Sequence, residues 1–362
     1  MNRFILHCDL DCFFAAVEER DNLEYVGKPI IIGADPKDGK GRGVVSTCNY
    51  EARKFGLHSA MPISQAYRRC PHGTYLRPNF EKYQKASKDV MEIINSYSDK
   101  FQKVSIDEAY LDVTNICANF DEVRKLAEML RSEIQNKIGI TISIGCAPTK
   151  SIAKIASDYN KPNGITIVEP NQIYSFLKNL DITRIPGIGR KSKKYYNKKG
   201  IKTIGDITNL TLAQMIQLFG KNGEWVWNVA NGFDTREVKE FSSERKSISK
   251  ERTFYEDTDD LKMILSKLED INNRIHDNII KNKIYYKTVT LKIRFEGFLT
   301  YTRSKSFPHH VQDKNHVLQV IIELLNQFSN ENKKVRLIGI KLSNLEKAPC
   351  LSQTTLLCFL EA

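Results

Sequence analysis

Two adjacent carboxylates, Asp107 and Glu108, interrupt a strand-like apolar run that continues as Ala109-Tyr110-Leu111-Asp112-Val113. A β-strand sends successive side chains to opposite faces, so both carboxylates can serve one site only if the chain turns between them. The spacing therefore predicts a hairpin tip with a cation to offset the charge. A second acidic interruption ends the first strand-like run, Phe4-Ile5-Leu6-His7-Cys8-Asp9-Leu10-Asp11. Two carboxylate sites far apart in sequence suggest one shared metal site. Hard divalent ions such as Mg²⁺ suit this chemistry, held by a few carboxylates and by substrate phosphates.

With 362 residues, 41% of them hydrophobic, the chain can bury two or more cores. Its net charge of +12 is uneven. Residues 1–180 hold 24 basic and 22 acidic side chains and residues 181–350 hold 31 and 20, so +2 stands against +11. A basic half beside a nearly neutral half with an acidic site implies a polyanion grip joined to a catalytic body. The plainer reading of the charge is a lysine-rich surface. Eight cysteines without C-x-x-C spacing read as free thiols in a reducing cytosol, so a cytoplasmic protein is expected. The histidines form no H-E-x-x-H, and His309-His310 reads as a surface feature. Asp9 and Asp11 break the amino-terminal apolar run too early for a signal peptide, and no run approaches the roughly 18 apolar residues of a membrane span.

Strands are predicted over 3–8, 44–47 and 141–146, and helices over 10–20, 50–55, 80–97, 120–138 and 152–159, with a hairpin at 104–113. This is an α+β arrangement around a mixed or antiparallel sheet. Residues 170–235 read as short helices around Pro186-Gly187-Ile188-Gly189 and Phe219-Gly220. A polar connection at 236–245 precedes strand 246–254, helix 259–281, strands 284–296 and 299–307, helix 313–328 and strand 333–343. That βαββαβ order makes a sheet with two helices on one face. Residues 346–362 read as a flexible tail.

Five segments in order, Cys8-Asp9-Leu10-Asp11-Cys12-Phe13-Phe14-Ala15, Asn49-Tyr50-Glu51-Ala52-Arg53-Lys54-Phe55-Gly56, Ser105-Ile106-Asp107-Glu108-Ala109-Tyr110-Leu111-Asp112, Lys161-Pro162-Asn163-Gly164 and Ile185-Pro186-Gly187-Ile188-Gly189, resemble the motif set of the Y-family DNA polymerases. The resemblance is nearest to their bacterial DNA polymerase IV branch and spans roughly residues 1–345. It implies a multidomain right-hand polymerase: a ferredoxin-like palm (1–12 and 80–168), small fingers (13–79), a helical thumb with a helix-hairpin-helix (169–235), and a βαββαβ little finger (246–345) beyond the connection. The implied activity is low-fidelity, template-directed translesion synthesis from dNTPs on primer-template DNA, distributive and without proofreading, by a monomer.

On this resemblance Asp9 and Asp107 bridge two Mg²⁺ ions, Glu108 completes the site, and the Leu10 carbonyl adds a ligand. Asp11 and Asp112 are left outside that set. Phe13, Phe14, Thr47, Tyr50, Arg53 and Lys161 are the nucleotide-binding candidates. Tyr50 and Arg53, three apart in a short helix, share a face and offer a phenol and a planar fork to the triphosphate. Phe14 stands where the family places an aromatic ring against the sugar, so as to clash with a 2′-hydroxyl, whereas Phe13 better fits the core. Cys48 departs from the alanine common before Asn-Tyr.

Gly187 and Gly189 let backbone N–H groups approach a DNA phosphate, with Arg190, Lys191, Lys193 and Lys194 immediately after. Lys246, Arg252, Lys292, Arg294, Arg303 and Lys305 alternate with apolar residues and are expected on one sheet face against the duplex. In the tail, Gln353-Thr354-Thr355-Leu356-Leu357 partly resembles a sliding-clamp-binding pentapeptide, with Gln353, Leu356 and Leu357 as its anchors. The rival readings are a catalytically silent DNA-binding scaffold and a nucleotide cyclase or small-molecule nucleotidyltransferase. The first leaves the acidic site unexplained and the second leaves the basic half so.

Overall fold

The computed structural model describes residues 3–239 and 245–347, as two compact units dividing between Ser242 and Ser243. In the first unit, strand β1 (Ile5–Leu10) is buried along its whole length and turns through Cys12, in the left-handed region at φ 40°, into helix α1 (Phe13–Asp21). Strands β2 (Ile30–Gly33) and β3 (Val45–Cys48), helices α2 (Tyr50–Arg53) and α3 (Ile63–Arg69), and strand β4 (Thr74–Leu76) follow, the strands forming a small sheet in the order β3-β2-β4. The predicted helix at 50–55 is capped by the Asn49 side chain, which accepts from the Ala52 N–H, and the chain leaves it through Gly56 at φ 73°.

Helix α4 (Phe80–Asn95), strands β5 (Phe101–Lys103) and β6 (Glu108–Asp112), helix α5 (Phe120–Ile138), strand β7 (Ile142–Ala147), helix α6 (Lys150–Ser157) and strand β8 (Ile165–Ile167) complete the larger sheet, ordered β5-β6-β1-β7-β8. Only the β7–β8 pair is parallel within it. Helix α5 has the predicted bounds because Asn119 caps its start and Gly139, at φ 77°, closes it. One face of the sheet packs Leu6, Cys8, Leu10, Ala109 and Leu111 against α1, α4 and α5. The other carries Ile5, Tyr110 and Ala147 against α6 and the helical segment after it. Helix α6 lies hard against β7 because Gly145 has no side chain. A Cβ there would stand 2.1 Å from the Ala153 carbonyl oxygen.

The segment beyond comprises α7 (Ile173–Leu177), α8 (Arg190–Asn197), α9 (Ile204–Thr208) and α10 (Leu212–Ala230). Helix α10 is two helical pieces meeting at Gly220, whose φ of 60° and ψ of −145° break the helix. Asp234 ties this segment to α6, accepting from the Ser151 N–H and hydroxyl at 3.0 and 2.6 Å and from Arg236.

The second unit is β9 (Ser247–Thr258), α11 (Leu261–Lys281), β10 (Ile284–Phe295), β11 (Thr300–Val311), α12 (Lys314–Asn326) and β12 (Val335–Lys347), the predicted βαββαβ order in an antiparallel sheet ordered β11-β10-β12-β9. The last strand runs past the boundary read at 345, because its pairing with β10 continues to Lys347 opposite Ile284. Among the described residues six cysteines are free thiols, and no helix is long and apolar enough to cross a membrane.

Candidate active site

At one end of the five-stranded sheet Asp9 stands directly opposite Glu108 in the β1–β6 register. Residues paired this way project to the same face. Asp107 lies in the turn just before β6, as the hairpin-tip reading requires, and its carbonyl accepts from the Leu10 N–H at 3.0 Å. The chain turn thus resolves the alternation problem: Glu108 follows the strand, and Asp107 is released from it. Helix α6 and the loop after it deliver the cations. Lys161 Nζ is 2.6 Å from Asp9 and 2.8 Å from Asp158, and Lys154 Nζ is 2.7 Å from Glu108 Oε2. Ser105 donates its hydroxyl to Asp107 at 2.5 Å.

Burial pushes the Asp9 carboxyl up to about 7, more than the adjacent Lys161 charge lowers it, with Glu108 adding to the rise. Burial also acts to raise Glu108, but the contacts of Oε2 with His7 and Lys154 outweigh it and hold that carboxyl well below the usual range. His7 is fully buried, and desolvation lowers its pKa and favours the neutral ring. Among the described residues no group of three His, Cys, Asp or Glu side chains is placed to hold a metal ion. The carboxylates hold lysines and a serine instead. As a donor set, three carboxylates at one strand end fit a hard, oxygen-seeking divalent ion.

The nucleotide candidates gather beside this cluster. Arg53 lies over the Tyr50 ring, 4.5 Å from its centroid, and donates to the Cys48 carbonyl at 3.2 Å. The Tyr50 hydroxyl is 3.4 Å from Asp11 Oδ1. Asp11, 1% exposed, also accepts from the Ser143 hydroxyl and the Asn163 N–H, both at 2.8 Å. It therefore braces the Tyr50 helix against the Lys161-Pro162-Asn163 loop. Asp112 accepts from Thr114 and faces Arg3. Phe13 is buried in the core as expected; Phe14 is partly exposed and stacks on Tyr83 at 4.4 Å and 11°. Tyr83 donates its hydroxyl to Glu18 at 2.6 Å, which fixes the ring behind Phe14. Thr47 is partly buried on β3.

His7, Lys154 and Tyr83 were not among the sequence candidates. Each sits in an apolar or helical stretch where its partner comes from another element, and only the repeated appearance of polar residues on the Asp9 face of β1 could have signalled His7.

In the turn before α8, Gly187 adopts φ 98° and Gly189 caps the helix without a side chain, open space lying where a Cβ would be at either position. Arg190 donates to the His58 ring at 2.9 Å and Lys193 pairs with Asp181 at 2.5 Å. Lys191 and Lys194 have no partner among the described residues.

The six cations of the second unit do not share one sheet face, which corrects the expectation. Lys292 pairs with Thr302 and Gly339, and Arg294 with Thr300 and Leu337, on the face away from the helices. Arg303 stands opposite core Leu291, Lys305 opposite core Val289 and Arg252 opposite core Ile338, so these three belong to the helix-bearing face. On edge strands that face runs out past the helices. Arg303 reaches over the Phe328 ring and Lys305 to Glu323 of α12. Lys246 is exposed just before β9. The open face also carries Lys341, which lies between core Ile340 and Leu342, and hydroxyl pairs Thr288–Ser306 and Thr290–Ser304 at 2.9 Å.

The profile of the impB/mucB/samB family matches residues 8–158, that of its C-terminal domain residues 245–356, and that of the DNA polymerase-iota thumb domain residues 183–234. A protein of Methanosarcina mazei named DNA polymerase IV 2 is 42% identical over 345 residues, covering 95% of this chain and 93% of its own. A DNA polymerase IV of Clostridium perfringens strain SM101 is 37% identical over 358 residues, 99% of each chain. Among solved structures, a Y-family DNA polymerase chimera of Dbh and Dpo4 superposes with a TM-score of 0.85 at 33% identity, covering 95% of this chain and all of the other. An insertion ternary complex of Dbh DNA polymerase gives 0.63 at 32% over the same shares. The architecture is that of a right-hand polymerase, with palm, fingers, thumb and little finger. The chain belongs to the Y family of DNA polymerases, alongside the proteins named DNA polymerase IV.

Proposed function

We propose that this chain is a DNA-directed DNA polymerase that extends a primer 3′-hydroxyl from dNTPs by two-metal nucleotidyl transfer, performing translesion synthesis at low fidelity, distributively and without proofreading. The observation that carries the reading is the register of Asp9 opposite Glu108 with Asp107 on the adjoining turn. The domain assignment is palm 1–12 and 80–168, fingers 13–79, thumb 169–235 and little finger 246–345, in a cytoplasmic monomer.

Two Mg²⁺ ions would lower the pKa of the primer hydroxyl and neutralise the leaving pyrophosphate. Asp9 and Asp107 would hold both ions, with Glu108 and the Leu10 carbonyl completing the set. Tyr50, Arg53 and Lys161 take the triphosphate, Arg53 by its planar fork, and Asp11 keeps the two cationic elements in register. Phe14, backed by Tyr83, meets the sugar. Gly187, Gly189, Arg190 and Lys191 take the duplex backbone. In the second unit Lys292 and Arg294 lie on the open face, and Lys246, Arg252 and Arg303 contact phosphates from its rim. Such contacts position the duplex and do not read its sequence. The clamp motif, Gln353 with Leu356 and Leu357, lies outside the described residues and stays a proposal on sequence alone.

Extension of a primed template with dNTPs and Mg²⁺ tests the reading. Products are expected to follow the template base, and to vanish when a chelator is added. Untemplated addition, or a cyclic product from ATP without primer, would instead support the small-molecule alternative.

A further inference from the structure

Lys154 occupies a position that the reaction described above does not use. Its Nζ donates to Glu108 Oε2 at 2.7 Å and also stands 3.5 Å from His7 Nε2, which is itself 3.5 Å from the same Oε2. The proton assignments around the ring follow from Ser157. Its hydroxyl donates to the Lys154 carbonyl at 2.9 Å, so its oxygen must accept from His7 Nδ1–H at 2.7 Å. A carboxylate oxygen and a ring nitrogen of the fully buried His7 thus stand 3.5 Å apart. The Lys154 ammonium, 2.7 Å from the one and 3.5 Å from the other, bridges them.

The backbone around Lys154 is held in place. Residues 154 and 157 are three apart on α6 and share a face. That helix is pressed onto β7 by Gly145, where a Cβ would come within 2.2 Å of the Ser157 nitrogen. Tyr110, opposite His7 in the β1–β6 register, packs on the imidazole at 4.7 Å. Glu108 Oε2 is thus clamped from a fixed direction, and Oε1 carries no protein hydrogen bond among the described residues.

We propose that Lys154 is a positioning residue: a tethered cation that holds Glu108 at the strand end before the divalent ions arrive, and against which those ions bind. The inference rests on Glu108 being a metal ligand. It has two consequences of opposite sign. The ammonium weakens divalent-ion binding to the nucleotide-free enzyme, because it lowers the negative potential at the carboxylates. It also speeds turnover, because Glu108 is kept in place. A residue that merely supported the fold would affect both in the same direction.

The test uses the full chain without nucleotide and Mn²⁺ as the probe, with binding followed by electron paramagnetic resonance and turnover measured separately on primed DNA. Lys154→Met is expected to bind Mn²⁺ roughly tenfold more tightly, as removal of one nearby unit charge implies, and to turn over more slowly. Lys154→Arg keeps the cation and is expected to return Mn²⁺ affinity to near the wild-type value, which guards against a misfolded Met variant. Unchanged or weaker Mn²⁺ binding by Lys154→Met, with Glu108→Gln still weakening it, overturns the role of Lys154 alone. Mn²⁺ binding indifferent to Glu108→Gln removes the metal-ligand reading on which it rests.

Discussion

The five-stranded sheet of the first unit and the four-stranded sheet of the second each carry two long helices on one face, yet they handle charge in opposite ways. In the first, Asp9, Glu108, Lys154, Lys161 and His7 are drawn into one largely desolvated cluster, each charge within hydrogen-bond reach of another. In the second, Arg294 and Lys341 lie among serine and threonine hydroxyls on an open face, where Lys292 makes a single partly exposed ion pair with Glu251 at 2.6 Å. Desolvated charges act strongly over short distances and depend on each partner, whereas exposed ones act weakly and additively. Chemistry needs the first arrangement, and a grip on a duplex of any sequence needs the second.

If this contrast is right, single substitutions in the two sheets differ in scale. Glu108→Gln is expected to lower kcat by roughly a thousandfold, a size common for groups acting in a catalytic unit, as measured by single-turnover extension. A loss below about tenfold would mean that Glu108 belongs with the additive charges. Phe14→Ala is expected to raise ribonucleotide incorporation relative to dNTPs by roughly ten- to a hundredfold, the usual range for steric discrimination of small groups. An unchanged preference would show that the ring backed by Tyr83 is not the sugar gate. Removing Lys292, Arg294 and Lys341 together is expected to reduce the slope of log affinity against log salt by about 2 to 3, with kcat at saturating DNA little changed. A slope that does not move would place the duplex on the helix-bearing face, with Arg252 and Arg303.

The smallest expected effect concerns stability in acid. Burial acts to raise Asp234, but its hydrogen bonds with Arg236 and Ser151 prevail and hold it at about 2, below its ordinary 3.8. Its folded-state pKa is depressed, so its contribution is complete above pH about 4 and disappears as pH falls through about 2. That contribution is on the order of 2 kcal/mol. Thermal melting of Asp234→Asn should therefore show a lower Tm than wild type at neutral pH, and the two should converge in acid; an equal gap at every pH would separate Asp234 from the acid response.

What the sequence made legible was local. The Asp9 and Asp107-Glu108 strand ends, the capped helix at 120–138 and the βαββαβ order all lie in short stretches whose periodicity or turn residues act on themselves. What stayed hidden depended on register. The faces of Arg303 and Lys305 are set by pairing with β10 past a bulge between Tyr286 and Thr288, and that of Arg252 by pairing with β12 past an irregularity between Val335 and Leu337. No alternation count along one strand reveals that pairing. Lys154 looks like any helical surface lysine until Gly145 lets α6 press onto β7, the neighbour of β1. Asp11 lies outside the expected metal set, and its bracing contacts with Tyr50, Ser143 and Asn163 come from three separate segments.

The most direct test of the acidic strand end as the seat of polymerase chemistry is Asp107→Ala, assayed in parallel for templated extension and for primer-template affinity. The expected result is loss of extension with affinity within about threefold of wild type, as the proposed phosphate contacts elsewhere in the chain imply. Extension at the wild-type rate with Asp107 removed would contradict the account.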